Sequence, residues 1–227
     1  MKLGELKRGD KFTVGGIEWL ILGHANNIGG KPAATHVISS GIVECRAFDT
    51  ENGNNFAKSS LLSYLNREYW AKLEKTSESR NIGCQRIHLT SDDGLDDYGC
   101  VETKIGLLTA NQYREHRDIL PPLGESWWLA TPYSTERAGY PSLVRVVISD
   151  GTLGSISAYI GDRGVRPALY LKSDISVSLD GNDESPIEVS EEELYKAAVQ
   201  KFRELAQNPV PIEEMTEPTK PLPPYLR

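Results

Sequence analysis

The chain has 227 residues, 39% of them apolar and 25% charged, with a formal net charge of -7. That length buries one sizeable core with some chain left over, and the negative charge argues against a nucleic-acid partner, because phosphate binding wants a basic surface. The longest apolar runs, such as residues 19–22, fall far short of the ~20 that span a bilayer, so no membrane insertion is expected.

The opening MKLGELKRGDKF carries charges where a signal peptide would place its apolar stretch, which predicts a chain that is cytoplasmic as synthesised. Cys45, Cys84 and Cys100 are an odd number without a CxxC pair and suit reduced thiols. Residues 1–24 read as a short β unit: a turn at Gly9 and Asp10 leads into a strand over 11–14, and Gly15 and Gly16 turn into an apolar strand over 17–22. A loop over 26–32 precedes a second strand region at 35–44. His24 and His36 flank that loop and, with no third ligand at suitable spacing, read as surface or packing histidines.

Ser59 and Ser60 are N-cap residues for a helix over 61–73. Leu62, Leu65, Tyr69 and Leu73 lie on one side of it, and Leu61 and Trp70 widen the stripe. The segment TSDDGLDDYG then sets Asp92, Asp93, Asp96 and Asp97 around Gly94. Such an oxygen-rich loop can hold calcium. It lacks the EF-hand spacing and closing glutamate, however, so an acidic capping loop ranks ahead of a metal site and no cofactor is required. Thr109 and Gln112 form a capping box for a short helix over 110–117, ended by Pro121 and Pro122.

Residues 127–171 organise the rest. Trp127 and Trp128 point in opposite directions along a strand, which predicts one in the core and the other lining a site. Residues 143–149 and 155–160 alternate with strand period. A three-residue turn over 149–151, with Gly151 left-handed, sets Ile148 opposite Thr152, Val146 opposite Gly154 and Val144 opposite Ile156. One face is then Val144, Val146, Ile148, Ile156, Ala158 and Ile160, the expected core face. The other carries Arg145, Val147, Leu153, Ser155, Ser157 and Tyr159, a composition suited to adaptable recognition.

Residues 172–186 are polar and turn-rich, and Ser190 with Glu193 opens an amphipathic helix over 191–207 with Leu194, Ala198, Phe202 and Leu205 on one face. Six prolines follow among residues 208–227, the mark of an extended tail. Helix and tail read equally as an appendage that docks on a partner and as a packed helix with a frayed end. No GxGxxG, P-loop, HExxH or GxSxG occurs, so the expectation is a protein that is not an enzyme.

Three segments carry a resemblance: residues 127–132 (WWLATP), residues 144–151, and residues 164–168 (GVRPA). They resemble a widespread family of uncharacterised bacterial and phage domains, itself similar to the C-type lectin-like fold of formylglycine-generating enzymes and of retroelement-diversified variable proteins. The resemblance extends over residues 1 to about 175. It implies an α+β, C-type lectin-like, loop-rich domain with a small antiparallel sheet and two short helices, in which the sheet presents ligand-binding side chains. Gly164 to Arg166 matches a Gly-aromatic-Arg strand entry with Val165 in the aromatic place, and the resemblance makes Arg166 a paired, partly buried structural arginine. Formylglycine-generating enzymes use cysteines or a metal in the C-terminal half, and no cysteine follows Cys100. The Glu-Pro-Asn and Trp-Asn-Asp signatures of calcium-dependent lectins are absent as well.

The combined expectation is a ligand-binding domain over 1–175, a linker and helix over 176–207, and a tail over 208–227. It is a non-enzymatic recognition protein of phage or prophage type, virion-associated in one reading, binding a protein or carbohydrate surface. The expected contacts are Tyr133, Tyr140, Arg145, Ser155, Ser157, Tyr159, Asp162 and Arg163, supported by Trp127, Trp128, Gly151 and Arg166. Two alternatives stay open: an assembly protein whose docking partner takes residues 188–227, and a metal-dependent enzyme acting through Asp92 to Asp97.

Overall fold

Two glycines with positive φ, Gly15 and Gly16, turn β1 (Lys11–Val14) back onto β2 (Ile17–Asn26), placing Phe12 opposite Trp19. The structure is a computed structural model that describes residues 1–26, 32–75 and 77–177, within a unit spanning Met1–Asp183. The expected C-terminal helix and tail lie outside the described residues.

β2 pairs with β3 (Pro32–Ser39), β3 with β12 (Ala168–Lys172), and β12 with β5 (Ile82–Gly83), giving a sheet of order β1-β2-β3-β12-β5. A second sheet has the order β10-β9-β8-β11-β4, built from β4 (Glu44–Cys45), β8 (Trp127–Pro132), β9 (Leu143–Val147), β10 (Leu153–Ser157) and β11 (Gly164–Val165). β6 (Gln85–His88) and β7 (Cys100–Thr103) form a separate ribbon. The described ends meet: Leu3 N donates to Ile175 O and Val177 N to Met1 O, each at 2.9 Å.

The strand expected over 35–44 is divided between two sheets, β3 in the first and β4 in the second. The chain divides again at Arg166 and Pro167, with β11 before them in the second sheet and β12 after them in the first. Arg166 ties the two corners together, its Nε and Nη2 donating to Ser39 O at 3.1 and 2.8 Å and Nη2 also to Ser40 O at 3.1 Å. The guanidinium is 1% exposed and lies 4.7 Å from the Trp127 ring centre. It is thus wholly rather than partly buried, and its partners are backbone carbonyls. Burial pulls its pKa down to about 10, which leaves it charged at neutral pH.

The helix expected over 61–73 runs as α1 (Ser60–Tyr64), a π turn (Leu65–Tyr69) and α2 (Trp70–Leu73). Ser59 Oγ caps it, accepting from Leu62 N at 3.1 Å. The wider π turn rotates the apolar stripe: Leu61, Tyr64, Leu65, Tyr69 and Leu73 are buried, and Leu62 and Trp70 are half-buried. α3 (Ala110–His116) carries the expected Thr109/Gln112 capping box. No helix among the described residues is long and apolar enough to cross a membrane.

Two apolar clusters lie on opposite faces of β8 and β9. Trp128, Ala130, Val144 and Val146 join one, and Trp127, Leu129 and Val147 join the other, together with Tyr113 of α3. All six residues of β8 are buried, as expected for a strand covered on both faces. Trp127 and Trp128 are therefore both core residues, at 2% and 0% exposure, and neither lines a site. Trp127 meets Tyr113 edge-on at 5.6 Å, while Trp128 packs near Phe48 and donates Nε1 to Arg46 O at 2.8 Å. Burial of so large an apolar side chain stabilises by roughly 1.5–3 kcal/mol each.

Candidate functional site

The hairpin takes the register that alternation and Gly151 predict. Val146 stands opposite Gly154 and Val144 opposite Ile156, and Ile148 N donates to Thr152 O at 2.8 Å. Gly151 has φ +84°, and its carbonyl accepts from Tyr113 Oη at 2.6 Å. The faces, however, are not simply inside and outside. Val147 is buried by Trp127 and Tyr113, and Ile148, expected in the core, is 37% exposed at the turn.

Arg145 is also drawn inward. Its Nη1 donates to Ser155 Oγ at 2.8 Å, its Nη2 pairs with Asp92 Oδ2 at 2.7 Å, and the guanidinium stands 5.7 Å from the Tyr133 ring centre. The other Asp92 oxygen pairs with Arg114 of α3 at 2.7 Å. Only 17% of the Arg145 side chain and 18% of that of Asp92 is exposed. Arg145 and Ser155 therefore form the floor beneath a surface rather than the contact points expected of them.

The loop over 133–142 is held from below. Asn54, 1% exposed, shares the two hydrogens of Nδ2 among the carbonyls of Ser134, Tyr140 and Leu143 at 2.9, 2.7 and 3.0 Å, and its Oδ1 accepts from Tyr98 Oη at 2.7 Å. Asp93 accepts from Ser134 Oγ at 2.6 Å and from Ser91 Oγ. Asp97 accepts from Thr135 Oγ1 at 2.5 Å and pairs with Arg137 at 2.8 Å. The Ser134 bond for Asp93 and the Thr135 bond for Asp97 hold both carboxyls below the usual carboxylate range. The acidic loop thus works as an anchor. Asp92, Asp93 and Asp97 turn to separate partners, and no group of three or more His, Cys, Asp or Glu among the described residues could hold a metal.

On this frame Tyr133 and Tyr140 are 38% and 48% exposed, with their rings edge-to-face at 5.5 Å. Tyr159 is 57% exposed and is brought to the same end of the hairpin by two bonds, Ala158 N to Ser142 O at 2.8 Å and Tyr159 N to Asn52 Oδ1 at 3.3 Å. Ser157, half-buried, pairs in register with Leu143 beside them. Asp162 and Arg163 follow Tyr159 by three and four residues. They pair with each other at 3.1 Å, and Arg163 O accepts from Arg46 N next to β11 and β4. They lie in the connection that leads from Tyr159 into β11, and β11 is separated from β10 in the sheet by β9 and β8.

A second concavity, of about 380 Å³, opens on the other side of Asp92, between α3, β6 and the acidic loop. Its wall includes Arg86, Arg114, Asn111 and Gln112, with Thr131 and Ala110 beneath. Neither Asn54 nor Arg114 stands out in the sequence as a site residue. The only local signal is the NGNN run around Asn54, where Asn52 takes φ +60°.

A family model described as a domain of unknown function (DUF6273) matches residues 96–173. Those residues contain α3, the 133–142 loop and strands β7 to β12, and over them the chain is similar to that family. No curated protein and no solved structure matches the chain.

Proposed function

We propose that this is a non-enzymatic recognition protein of phage or prophage type with a C-type lectin-like fold, binding a protein or carbohydrate surface through Tyr133, Tyr140, Ser157 and Tyr159. The observation that carries the reading is the contrast within one loop. Its backbone is fixed by Asn54, Asp93 and Asp97, and its tyrosines face outward. Tyrosine offers large amphipathic contact area at small entropic cost, and a frame ordered in advance lowers the cost of binding. The small C-terminal sheet joined by long loops supports the lectin-like reading of the fold. The same arrangement suits retroelement diversification, because outward side chains on a fixed backbone can vary without disturbing the core. On this reading the protein works without a cofactor, and its ligand lies on a cell or particle surface reached from the virion.

The reading is tested by sequencing codons 125–170 in a population of the source. Substitutions are expected to concentrate at residues 133, 140, 157 and 159, with Val144, Val146 and Trp128 unchanged. Outward-facing codons as invariant as the core ones would contradict a diversified binding face.

A further inference from the structure

We infer that the cleft between α3, β6 and the acidic loop is a second binding site, for an acidic sugar of one or two residues. It lies across Asp92 from the tyrosine face and does not depend on that face binding anything.

The charge comes first. Asp92 is shared, one oxygen to Arg114 and the other to Arg145, each at 2.7 Å. Of these two guanidiniums only that of Arg114 lines the cleft. Arg86, on the opposite wall, is exposed, donates Nε to Cys100 Sγ at 3.0 Å, and stands in none of the ion pairs among the described residues. The lining of the cleft therefore holds two arginines against one carboxylate, with Glu102 opposite Arg86 in the strand register, on a chain whose formal net charge is -7.

The hydrogen-bonding inventory points the same way. Both Asp92 oxygens are occupied. Asn111 Oδ1 accepts from Arg114 Nη1 at 2.7 Å, and Gln112 Oε1 accepts from Thr109 N at 2.9 Å, which leaves each amide its NH2 group to offer. Thr131 Oγ1 accepts from Ala110 N at 2.9 Å, leaving its hydroxyl hydrogen free to donate. In these four side chains the acceptors are used internally and the donors are left over, which suits a ligand that brings acceptor oxygens and negative charge. About 380 Å³ lies at the small end of ligand sites. With Ile87 its one large apolar side chain and hydroxyls and amides around it, the lining presents both polar and apolar surface, as a sugar ring does.

The test is calorimetric titration of the full chain with methyl glucuronide, methyl glucoside and inorganic sulfate. The glucuronide is expected to bind at least tenfold tighter than either of the others, and less tightly as salt rises from ~10 to ~150 mM. Arg86→Glu and Gln112→Glu, the second of which keeps the capping box, should each weaken it tenfold or more with the melting temperature unchanged. Tyr133→Ala/Tyr140→Ala should bind it as the parent does. Equal binding of the glucoside would overturn the proposal, and equal binding of sulfate would reduce the site to a simple anion spot. Failure to bind the glucuronide, indifference to both charge-introducing variants, or loss of binding in the tyrosine variant would each overturn it as well.

Discussion

Arg145 and Asp92, 53 residues apart in the chain, form a half-buried ion pair at 2.7 Å that fastens the acidic loop to the outer face of the hairpin. With Arg114 on the second Asp92 oxygen, this carboxylate joins three separate parts of the chain: the acidic loop, α3 and β9. Removing one member leaves a partner charged and shielded from water. Arg145→Ala should cost about 2 kcal/mol and lower the melting temperature by about 4–8 °C. A double-mutant cycle with Asp92→Asn should show clear coupling, and additive effects would mean the pair contributes little.

Asn54 supports the 133–142 loop through three carbonyls and Tyr98. Asn54→Ala leaves those groups without their partner, at a cost of about 3 kcal/mol. Amide exchange should accelerate over residues 133–142 well beyond any change over 143–157. Uniform acceleration across both segments would show that Asn54 stabilises the domain generally and is no special support for the loop.

Burial, with a smaller contribution from nearby His116, lowers the pKa of His36 from 6.5 to about 4, and its ring stacks on Tyr170 at 4.4 Å. The folded state keeps the ring neutral, whereas the unfolded chain takes up a proton below pH ~6.5. Stability from this group is therefore complete above that pH and declines, by on the order of 3 kcal/mol, as pH falls toward 4. His36→Phe, which keeps the stack, should flatten the stability curve between those limits. An unchanged slope would mean that other groups govern the acid limb.

Arg166 reaches two carbonyls with a planar fork that an ammonium cannot reproduce. Arg166→Lys should destabilise by about 2 kcal/mol or more despite keeping the charge. Calorimetric unfolding checks this, and a shift of under a degree would contradict the role of the fork at the two chain corners.

Calcium should leave the melting temperature unmoved, because Asp92, Asp93 and Asp97 are each committed to other partners. A site occupied at a hundred times its dissociation constant would add about 2.7 kcal/mol, a rise of several degrees.

The local chemistry of this chain was legible where it was self-contained. Alternation plus one left-handed glycine fixed the pairing of residues 143–157, and Ser59 and Thr109 marked their helix starts. Period-two alternation separates the faces of β9 but cannot say that both are covered, since Val147 belongs to a cluster drawn from distant parts of the chain, Leu20, Ile38 and Tyr113 among them. For the same reason Trp127 and Trp128 could not both be placed in the core from their spacing. The partner of Arg145 lies 53 residues back, in an acidic loop that no local pattern ties to the hairpin. The division of strands at residues 39–44 and at Arg166 likewise depends on long-range contacts that no local pattern carries.

The outward tyrosines Tyr133, Tyr140 and Tyr159 carry the proposed binding face. The most direct measurement compares the parent chain with Tyr133→Ala/Tyr140→Ala/Tyr159→Ala on arrays of surface glycans and proteins, with melting temperatures taken alongside. The account predicts a ligand captured by the parent and lost by the variant, with unfolding within about 2 °C of the parent because these side chains are exposed. A variant that keeps the parent's binding would contradict it.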